Sequence, residues 1–372
     1  MKIGQPEIIT AQGELTIRYP VELAGRQQVL WYSVEERNAH LVEPGYEAPL
    51  AGLLIPTLTA GEEIYLAGAL DQKQEFYIQH QLLPLLKIML PGIGGTKIHA
   101  PGGLDRTPAG LGIMSGFSAG VDSFITLQDF YLSPEVEEHS RLTHLAFFNV
   151  GSNGSGKGGD DLFSRRVAYL RQTANELRLP LVAVNSNLAE FYSDAQLNFE
   201  KTHTLRSASA ALLLQGGIRR FLYSAGYSYP DIFIRPQALM AHADPMILPY
   251  ASTGAMDLLS TGTEYKRLDK VRRLTEIPLS YTHLNVCLKG LHNCGKCRKC
   301  IRVQLMLDLL GKIDLYREVF NLEEYFARRR SFIYQLFYFD NPFVKEILSL
   351  AKTSPRAPFY MKVLMLLRGI KA

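Results

Sequence analysis

Long apolar runs are missing from this sequence: no uninterrupted stretch approaches the roughly 18 residues of a membrane-spanning helix. The first residues, Met1 to Glu7, also lack the apolar core of a secretory signal. These two absences argue against a membrane protein and a secreted protein, and we expect a cytoplasmic chain. Its 47% hydrophobic and 20% charged residues are ordinary for a soluble globular protein, and 372 residues are enough for two or three domains.

A strong net charge is missing as well, since the chain carries a formal charge of +4. The charge is nevertheless unevenly distributed, because the segment 266–302 holds ten Lys and Arg residues against only Asp269 and Glu276. Such a segment is typical of a surface that faces nucleic acid or phosphate. It is equally typical of a solvated face beside a negatively charged metal–thiolate cluster. The charge pattern leaves both interpretations open.

Cysteine is scarce, and all four cysteines fall within fourteen residues in the pattern C-x6-C-x2-C-x2-C. They are Cys287, Cys294, Cys297 and Cys300. Two overlapping CxxC steps let the backbone bend around one ion, and Gly295 permits a tight turn. Four thiolates suit tetrahedral zinc in a closed, structural site, whereas disulfides are disfavoured in a cytoplasmic chain. The pattern predicts a four-cysteine zinc knuckle, with a [4Fe–4S] cluster as the rival.

The most informative segment is Ser115–Ser123, which reads SGFSAGVDS directly after the short apolar run 111–114. A strand that ends in a small, hydroxyl-rich turn before a helix forms an anion site, because backbone N–H groups and the helix dipole favour negative charge there. Ser118 and Ser123 add hydroxyl groups, and Asp122 can anchor turn amides or help to hold Mg²⁺. No lysine lies in the turn, which excludes a Walker A loop.

Residues 118–123, SAGVDS, resemble the pyrophosphate loop (PP-loop, usually SGGxDS) of the ATP pyrophosphatases. These enzymes cleave ATP between its α and β phosphates and activate a substrate as its adenylate. Ala119 replaces the usual second glycine, and we expect a negative φ there because an alanine methyl is otherwise poorly tolerated. The resemblance implies that ATP and Mg²⁺ are held by Gly116, Phe117, Ser118, Gly120, Val121, Asp122, Ser123 and Lys270.

Arg206 lies at the start of a predicted helix, 205–214, which the predicted sheet order puts next to the nucleotide. The PP-loop family is similar here, with a helix-start arginine that meets the phosphates of ATP. A fixed guanidinium suits the charge that develops between the α-phosphate and the leaving pyrophosphate. An ordinary surface arginine is the alternative. The resemblance thus implies four catalytic residues: Ser118, Asp122, Ser123 and Arg206.

Two Gly/Pro clusters, 91–95 and 101–103, separate a β-rich first region from the rest of the chain. After Gly112, short apolar strands alternate with helices, which predicts an α/β fold with a doubly wound parallel sheet. The resemblance implies the adenine nucleotide alpha-hydrolase-like version of that fold. We predict four regions: a β-rich N-terminal accessory domain 1–95, a PP-loop nucleotide-binding domain 96–286, a zinc knuckle 287–303 and a helical C-terminal region 304–372.

The segment Gly151–Gly158, GSNGSGKG, fits the pattern GxxxxGK, but Gly158 stands where a Walker loop has a hydroxyl residue. Asp160 and Asp161 follow it and would repel phosphate. We interpret the segment as a mobile lid over substrate or nucleotide, with Lys157 as a contact. A plain surface loop is an equally open interpretation.

Within the PP-loop family, the chain is most similar to the 7-cyano-7-deazaguanine synthases, over about 112–303. GYSYPD at 226–231 resembles the substrate segment of these enzymes. LDK at 268–270 resembles the LDK sequence that precedes a helix in them, and CGKCRKC at 294–300 resembles their zinc knuckle. The first cysteine gap is shorter here, the YPD stretch is rearranged, and the terminal regions have no counterpart in the compact synthases. The resemblance implies substrate contacts at Ser228, Asp231 and Arg235.

These resemblances imply an AMP-forming ligase that adenylates a small carboxylate, deazapurine-like or another acid, for attack by ammonia or another amine. Positioning and charge stabilisation would do most of the work. One alternative is a tRNA- or nucleic-acid-modifying PP-loop enzyme, favoured by the basic segment 266–302. Another is a nucleotide-binding subunit that has protein partners in a multi-protein system such as antiviral defence, favoured by the added terminal regions. The oligomeric state is not encoded in these patterns.

Overall fold

The computed structural model describes residues 1–154, 156–192, 197–287, 290–339 and 341–367. The chain divides into two compact units. The first comprises Met1–Gly116, Pro134–Gly226 and Ile232–Thr261, and the second comprises Phe117–Ser133, Tyr227–Asp231 and Gly262–Ala372. Because the chain passes between the units several times, neither unit is one continuous stretch of sequence. The predicted boundaries at residues 95, 286 and 303 do not coincide with this division.

All described strands belong to the first unit. They are β1 Lys2–Ile3, β2 Glu7–Ala11, β3 Glu14–Leu23, β4 Arg26–Glu35, β5 Ile64–Leu66, β6 Leu70–Asp71, β7 Ile98–His99, β8 Gly103–Leu104, β9 Gly112–Gly116, β10 His144–Asn149, β11 Leu181–Ser186, β12 Ile218–Ser224 and β13 Asp257–Thr261. The main sheet has the order β13-β12-β9-β10-β11-β4-β3-β1-β5-β7, with β2 paired to β3, while β6 pairs with β8 separately. The protein is therefore α/β with a mixed central sheet.

The strands β9 to β13 pair in parallel throughout. Buried residues run continuously over 112–115 of β9 and 181–184 of β11, which is typical of parallel strands covered on both faces. The strand order reverses at β9, which lies between β12 and β10. Open α/β sheets bind ligands beyond the carboxyl ends of their strands at such a reversal. The carboxyl end of β9 is therefore the expected ligand edge of the first unit.

The N-terminal strands extend this sheet. Buried residues alternate along β3, and a tight turn with positive φ at both Ala24 and Gly25 joins β3 to β4. β4 then pairs antiparallel with β11, so that the sheet is mixed rather than wholly parallel. The β-rich character predicted for residues 1–95 is present, but its strands share a sheet with the predicted nucleotide-binding region.

The described helices are α1 Glu47–Ala60, α2 Gln72–Tyr77, α3 Leu83–Met89, α4 Val121–Leu127, α5 Gly156–Glu176, α6 His203–Leu212, α7 Asp244–Ala251, α8 Arg267–Leu274, α9 Leu279–His283, α10 Arg298–Leu309, α11 Leu322–Leu336, α12 Pro342–Thr353 and α13 Phe359–Leu367. Helical turns of π type lie at Ile78–Leu82 and Gln128–Leu132. The first of these lies between α2 and α3, next to Pro84, which cannot donate a backbone hydrogen bond. Among the described helices, none combines the length and the apolar character that a membrane crossing requires.

The second unit is built from α4 and from α8 to α13. α8 is its centre, since it packs against α4, α10 and α12. The helical character predicted for 304–372 is present in α11, α12, α13 and the second half of α10. Residues 288–289 of the predicted zinc knuckle and 340 and 368–372 of the predicted C-terminal region lie outside the described residues.

Candidate functional site

The predicted PP-loop is a tight turn at the first residues of the second unit. β9 ends at Gly116, and α4 begins at Val121 after Gly120, whose backbone is extended at φ −81° and ψ 171°. Phe117 is buried and Ser118 is exposed. Because α4 continues directly into the π turn at 128–132, the two form one helical segment of about three turns. The predicted PP-loop directly precedes the free backbone amides at the start of this segment.

Ala119 adopts a conformation that differs from the expected one. Its φ is +57°, in the left-handed region, although its side chain is buried. Glycine adopts this region freely, whereas it costs an alanine about 1 kcal/mol. The carbonyl oxygen of Ala119 accepts a 2.7 Å hydrogen bond from the backbone N–H of Asn285. The expectation of a negative φ at Ala119 is therefore wrong, and a contact from Asn285 helps to hold the strained residue.

The two serines of the turn differ in their surroundings. The buried hydroxyl of Ser123 donates to the carbonyl oxygen of Gly120 at 3.0 Å, within the first turn of α4. Ser118 is exposed and lies next to the strained Ala119. Ser123 therefore fastens the turn to the helix, while Ser118 is the hydroxyl that can reach a ligand.

Asp122 is the centre of a buried ion cluster. Arg267 contacts its two carboxylate oxygens at 2.9 Å each, and the Nζ of Lys270 lies 3.1 Å from Oδ1. Both cationic side chains are almost fully buried. Burial alone would raise the pKa of Asp122, but Arg267 and Lys270 outweigh it and hold that pKa well below its usual range. The predicted contacts Asp122 and Lys270 are thus brought together.

Two further cations on α10, Lys299 and Arg302, interact with this cluster. Burial and the charge of Arg267 lower the pKa of Arg302 to about 10. Desolvation of the ammonium group, with the charges of Arg302 and Arg267, lowers the pKa of Lys299, although part of its side chain is exposed. The ring of Phe343 lies beneath Arg302, with 4.1 Å between the guanidinium carbon and the ring centroid.

Sequence reasoning placed Arg267, Lys299 and Arg302 only in a general basic segment. The i, i+3 spacing of the pairs 267/270 and 299/302 was the available signal, because it puts the members of each pair on one helix face. Negative charge is present nearby as well, at Asp231 and Glu346. The carboxylate of Glu346 accepts the backbone N–H of Leu268 at 2.6 Å. The cluster therefore combines several cations with carboxylates that are engaged by other groups.

The four cysteines form a compact cluster in the second unit. One sulfur atom from each of Cys287, Cys294, Cys297 and Cys300 lies within 4.8 Å of all the others, and Cys287 and Cys300 are buried. The backbone N–H of Cys297 points to the sulfur of Cys294 at 3.3 Å. Four thiol groups that converge in this way fit a tetrahedral ion such as zinc. The cluster can thus hold a metal.

Two asparagines hold the cysteine segment, and one of them also contacts the predicted PP-loop. The side chain of Asn285 accepts the backbone N–H of Cys287 at 3.2 Å and donates to the carbonyl oxygen of Leu291 at 2.5 Å. Asn293, next to Cys294, accepts the N–H of Val286 at 2.8 Å. We call Asn285 and Asn293 the asparagine clasp. Because the N–H of Asn285 also holds Ala119, the clasp connects both features.

Arg206 lies in the first unit, near the start of α6, and only 4% of its surface is exposed. Its guanidinium covers the ring of Tyr192 at 3.6 Å and donates to the carbonyl oxygens of Val150 and Leu197. Burial lowers the pKa of Arg206, and its Nε has no hydrogen-bond partner among the described residues. No described carboxylate forms an ion pair with it. Arg206 is therefore a buried cation rather than a surface arginine.

The predicted substrate contacts fall in both units. In the second unit, the hydroxyl of Ser228 donates to Asp231 at 2.6 Å, so these two lie together. In the first unit, Arg235 is exposed and covers the ring of Phe233 at 4.2 Å. Lys157 is exposed on α5, which begins at Gly156, so the end of the predicted lid 151–158 is helical. Ser155 of that segment lies outside the described residues.

A polar cleft at the carboxyl ends of β10 and β11 was not predicted. The amide of Asn149 donates to Asp160 at 3.0 Å and to Asn185 at 2.7 Å. Trp31 and Glu190 also line this cleft. The available signal was the position of Asn149 and Asn185 as paired residues at the strand ends, where α/β sheets bind ligands. The cleft is small, with room for about one water molecule.

The sequence matches no protein-family model, and comparisons with curated proteins and with solved structures find no significant similarity. The proposal below therefore rests on the geometry of the predicted PP-loop, the ion cluster and the cysteine cluster.

Proposed function

We propose that this protein is an ATP-dependent, AMP-forming enzyme of the PP-loop type, and that its second unit binds the phosphates of ATP. The observation that carries the proposal is the ion cluster at the start of α4, where Asp122 organises Arg267 and Lys270 beside Arg302. Desolvated cations that repel one another are stabilised when an anion binds. A polyphosphate at this helix start would also meet the free amides of the turn.

The roles of the side chains follow from their contacts. Ser118 and the amides of Gly120 and Val121 would donate to phosphate oxygens, while Arg267 and Lys270, oriented by Asp122, would neutralise charge. Both carboxylate oxygens of Asp122 face cations, so we assign it the orientation of those cations. Mg²⁺ bound with ATP would supply further charge neutralisation. Arg206 of the first unit stays a predicted catalytic residue, supported by its burial and by its Nε, which has no hydrogen-bond partner among the described residues.

The proposal also specifies the type of fold, the metal and the class of substrate. The strand order that reverses at β9 supports a doubly wound, adenine nucleotide alpha-hydrolase-like fold. The compact cysteine cluster supports a structural zinc knuckle. Together these two features favour the proposal that the protein is related to the 7-cyano-7-deazaguanine synthases. Its substrate would then be a small carboxylate, and its location cytoplasmic.

In the proposed reaction, an oxygen of the carboxylate attacks the α-phosphorus of ATP, and the bond to the β-phosphate oxygen breaks to release pyrophosphate. A neutral amine then attacks the carbonyl carbon of the acyl adenylate, AMP leaves, and the nitrogen loses a proton. Neither step requires a covalent bond to the protein. The protein would act by positioning the reactants and stabilising charge.

The test is incubation of the full chain with ATP labelled in the α-phosphate, Mg²⁺ and ammonium, with and without 7-carboxy-7-deazaguanine. We expect labelled AMP only when the acid is present. ADP as the product would overturn the proposal, because it would mean cleavage at the γ-phosphate. A matched reaction with Arg267→Met should lose AMP formation.

A second candidate function is binding of nucleic acid, and a surface of the second unit favours it. Arg330 lies 5.8 Å from the ring centroids of both Tyr334 and Tyr360, which stack 6.1 Å apart. Phe359 on the neighbouring helix is 83% exposed. Arginines interleaved with exposed aromatic rings suit single-stranded nucleic acid. A steep loss of RNA affinity with rising salt, reduced by Arg330→Gln, would support this function.

A further inference from the structure

The PP-loop of this chain depends on a contact that a glycine would not need. Ala119 holds a left-handed backbone at φ +57°, and the backbone N–H of Asn285 donates to its carbonyl oxygen at 2.7 Å. Residues in this conformation revert to a relaxed one unless the surroundings hold them. The bond from Asn285 is therefore a condition for the turn that precedes α4.

Asn285 in turn is held by the segment that carries the cysteines. Its side chain contacts the backbones of Cys287 and Leu291, and Asn293 fastens the same segment through the backbones of Leu284 and Val286. Asn293 also reaches the carbonyl oxygen of Val319 at 3.1 Å. The cysteine sulfurs converge on one point only if these backbone segments keep their places.

We infer that Asn285 is a positioning residue through which occupancy of the cysteine cluster sets the conformation of the PP-loop at Ala119. A metal that fixes Cys287 and Cys294 holds the asparagine clasp, and the clasp holds Ala119 in the left-handed region. Loss of the metal releases the clasp and lets the turn relax. The coupling between metal binding and the conformation of Ala119 follows from this geometry. The further effect on ATP binding rests on the proposed function.

The decisive variant is Ala119→Gly, which removes the strain while keeping the turn. In the wild type, zinc binding works against the strained alanine, so the nucleotide-free Ala119→Gly protein should bind zinc about three- to tenfold more tightly. Competition with a chelating dye measures this affinity. The matched control is Ala24→Gly, the same substitution at an exposed turn residue with φ +52°, where zinc affinity should not change.

The second arm uses ATP, measured by calorimetry on zinc-loaded and zinc-stripped protein. Stripping should weaken ATP binding by wild type about tenfold or more, and saturating ATP should raise zinc affinity by the same factor, because coupling between two sites is reciprocal. Ala119→Gly should reduce this factor. Asn285→Ala, which opens the clasp, should weaken the binding of both zinc and ATP.

The outcomes separate the two proposals. Equal zinc affinities of wild type and Ala119→Gly without nucleotide would overturn the coupling, whatever ATP does. If zinc-loaded wild type binds no ATP while the zinc affinities differ as expected, the proposed function is overturned and the coupling stands. A change in zinc affinity with Ala24→Gly of the same size would also contradict the coupling, since the effect would not be specific to Ala119.

Discussion

Arg267 and Asp122 form a paired contact in which two guanidinium nitrogens each lie 2.9 Å from a different carboxylate oxygen. A second pair of the same kind joins Arg273 to Asp129, further along the same two helical segments. The two pairs differ in their neighbouring charges, because Lys270 contacts the carboxylate of the first pair and not that of the second. The first pair therefore belongs to a charged cluster, and the second serves as its natural control.

Under the proposed function, Asp122→Asn should reduce AMP formation more than its effect on stability would explain. The amide no longer balances or orients Arg267 and Lys270, so we expect AMP formation to fall roughly 10²- to 10³-fold. Loss of this partly exposed carboxylate leaves the buried Arg267 and Lys270 without their ion-pair partner, which should lower the free energy of unfolding by about 3 kcal/mol. Asp129→Asn should change stability in the same direction yet retain AMP formation. Equal loss of activity in both variants would contradict the role of Asp122.

Asp244 should make stability depend on pH in the opposite way from an ordinary paired carboxylate. It is fully buried, accepts a hydrogen bond from Thr204 at 2.6 Å, and its Oδ2 has no hydrogen-bond partner among the described residues. Burial raises its pKa from 3.8 to about 7. Between these values the folded state binds the proton more tightly than the unfolded state, so stability decreases as pH rises.

The measurement for Asp244 is thermal unfolding of wild type and Asp244→Asn between pH 4 and 8. The variant should gain stability relative to wild type as pH rises through this range, with roughly 4 kcal/mol as the upper bound. The exposed Asp105→Asn is the control. A difference between Asp244→Asn and wild type that stays constant with pH would show that Asp244 does not titrate in this way.

Arg206→Met should cost activity rather than stability. The methionine keeps the apolar stem over Tyr192 and removes a buried charge that no described carboxylate balances, so we expect a change in stability within about 1–2 kcal/mol. The proposed catalytic role of Arg206 predicts that AMP formation falls about 100-fold or more.

Arg106→Met is the contrast for Arg206→Met. Arg106 contacts the fully buried Glu47 at 2.8 Å and Glu43 at 3.0 Å, so its loss leaves a buried carboxylate unpaired. We expect about 3 kcal/mol of destabilisation and no specific effect on the chemical step. Chemical denaturation together with AMP assays measures both effects.

Metal analysis of the purified full chain should find one zinc ion bound by Cys287, Cys294, Cys297 and Cys300. Absence of absorption in the visible range would exclude an iron–sulfur cluster. Cys297→Ser should weaken zinc binding and lower the unfolding temperature, because a structural metal stabilises the fold that holds it. Full zinc retention in this variant would contradict the ligand set.

Local patterns predicted much of the architecture. The alternation of apolar strands and helices after Gly112 predicted β9 to β12, because burial on both faces leaves a signal within each strand, whereas β13 was not predicted. The cysteine spacing likewise predicted a cluster that the structure assembles. Pairing of β4 with β11 left no such signal, since it depends on contact between segments that are distant in sequence.

The details of the site were less accessible to prediction. An alanine at position 119 suggested a relaxed backbone with negative φ, but a hydrogen bond from Asn285 holds the strained, left-handed conformation. The residues near Ala119 in the sequence give no indication of this distant partner. Lys270 was predicted through its motif, whereas Arg302 was not, because only the packing of α10 against α8 brings their charges together.

The pairing of Val34 on β4 with Val184 on β11 has a consequence for biosynthesis. The hairpin β3–β4 is made early, yet β11, the strand that covers its outer edge, leaves the ribosome only after β9 and β10 have been translated. Until then a ten-residue strand presents unpaired backbone groups, the feature that promotes strand addition between chains. The ion pair between Glu35 and Arg37 at the end of that edge is the kind of charged flank that keeps nascent chains apart.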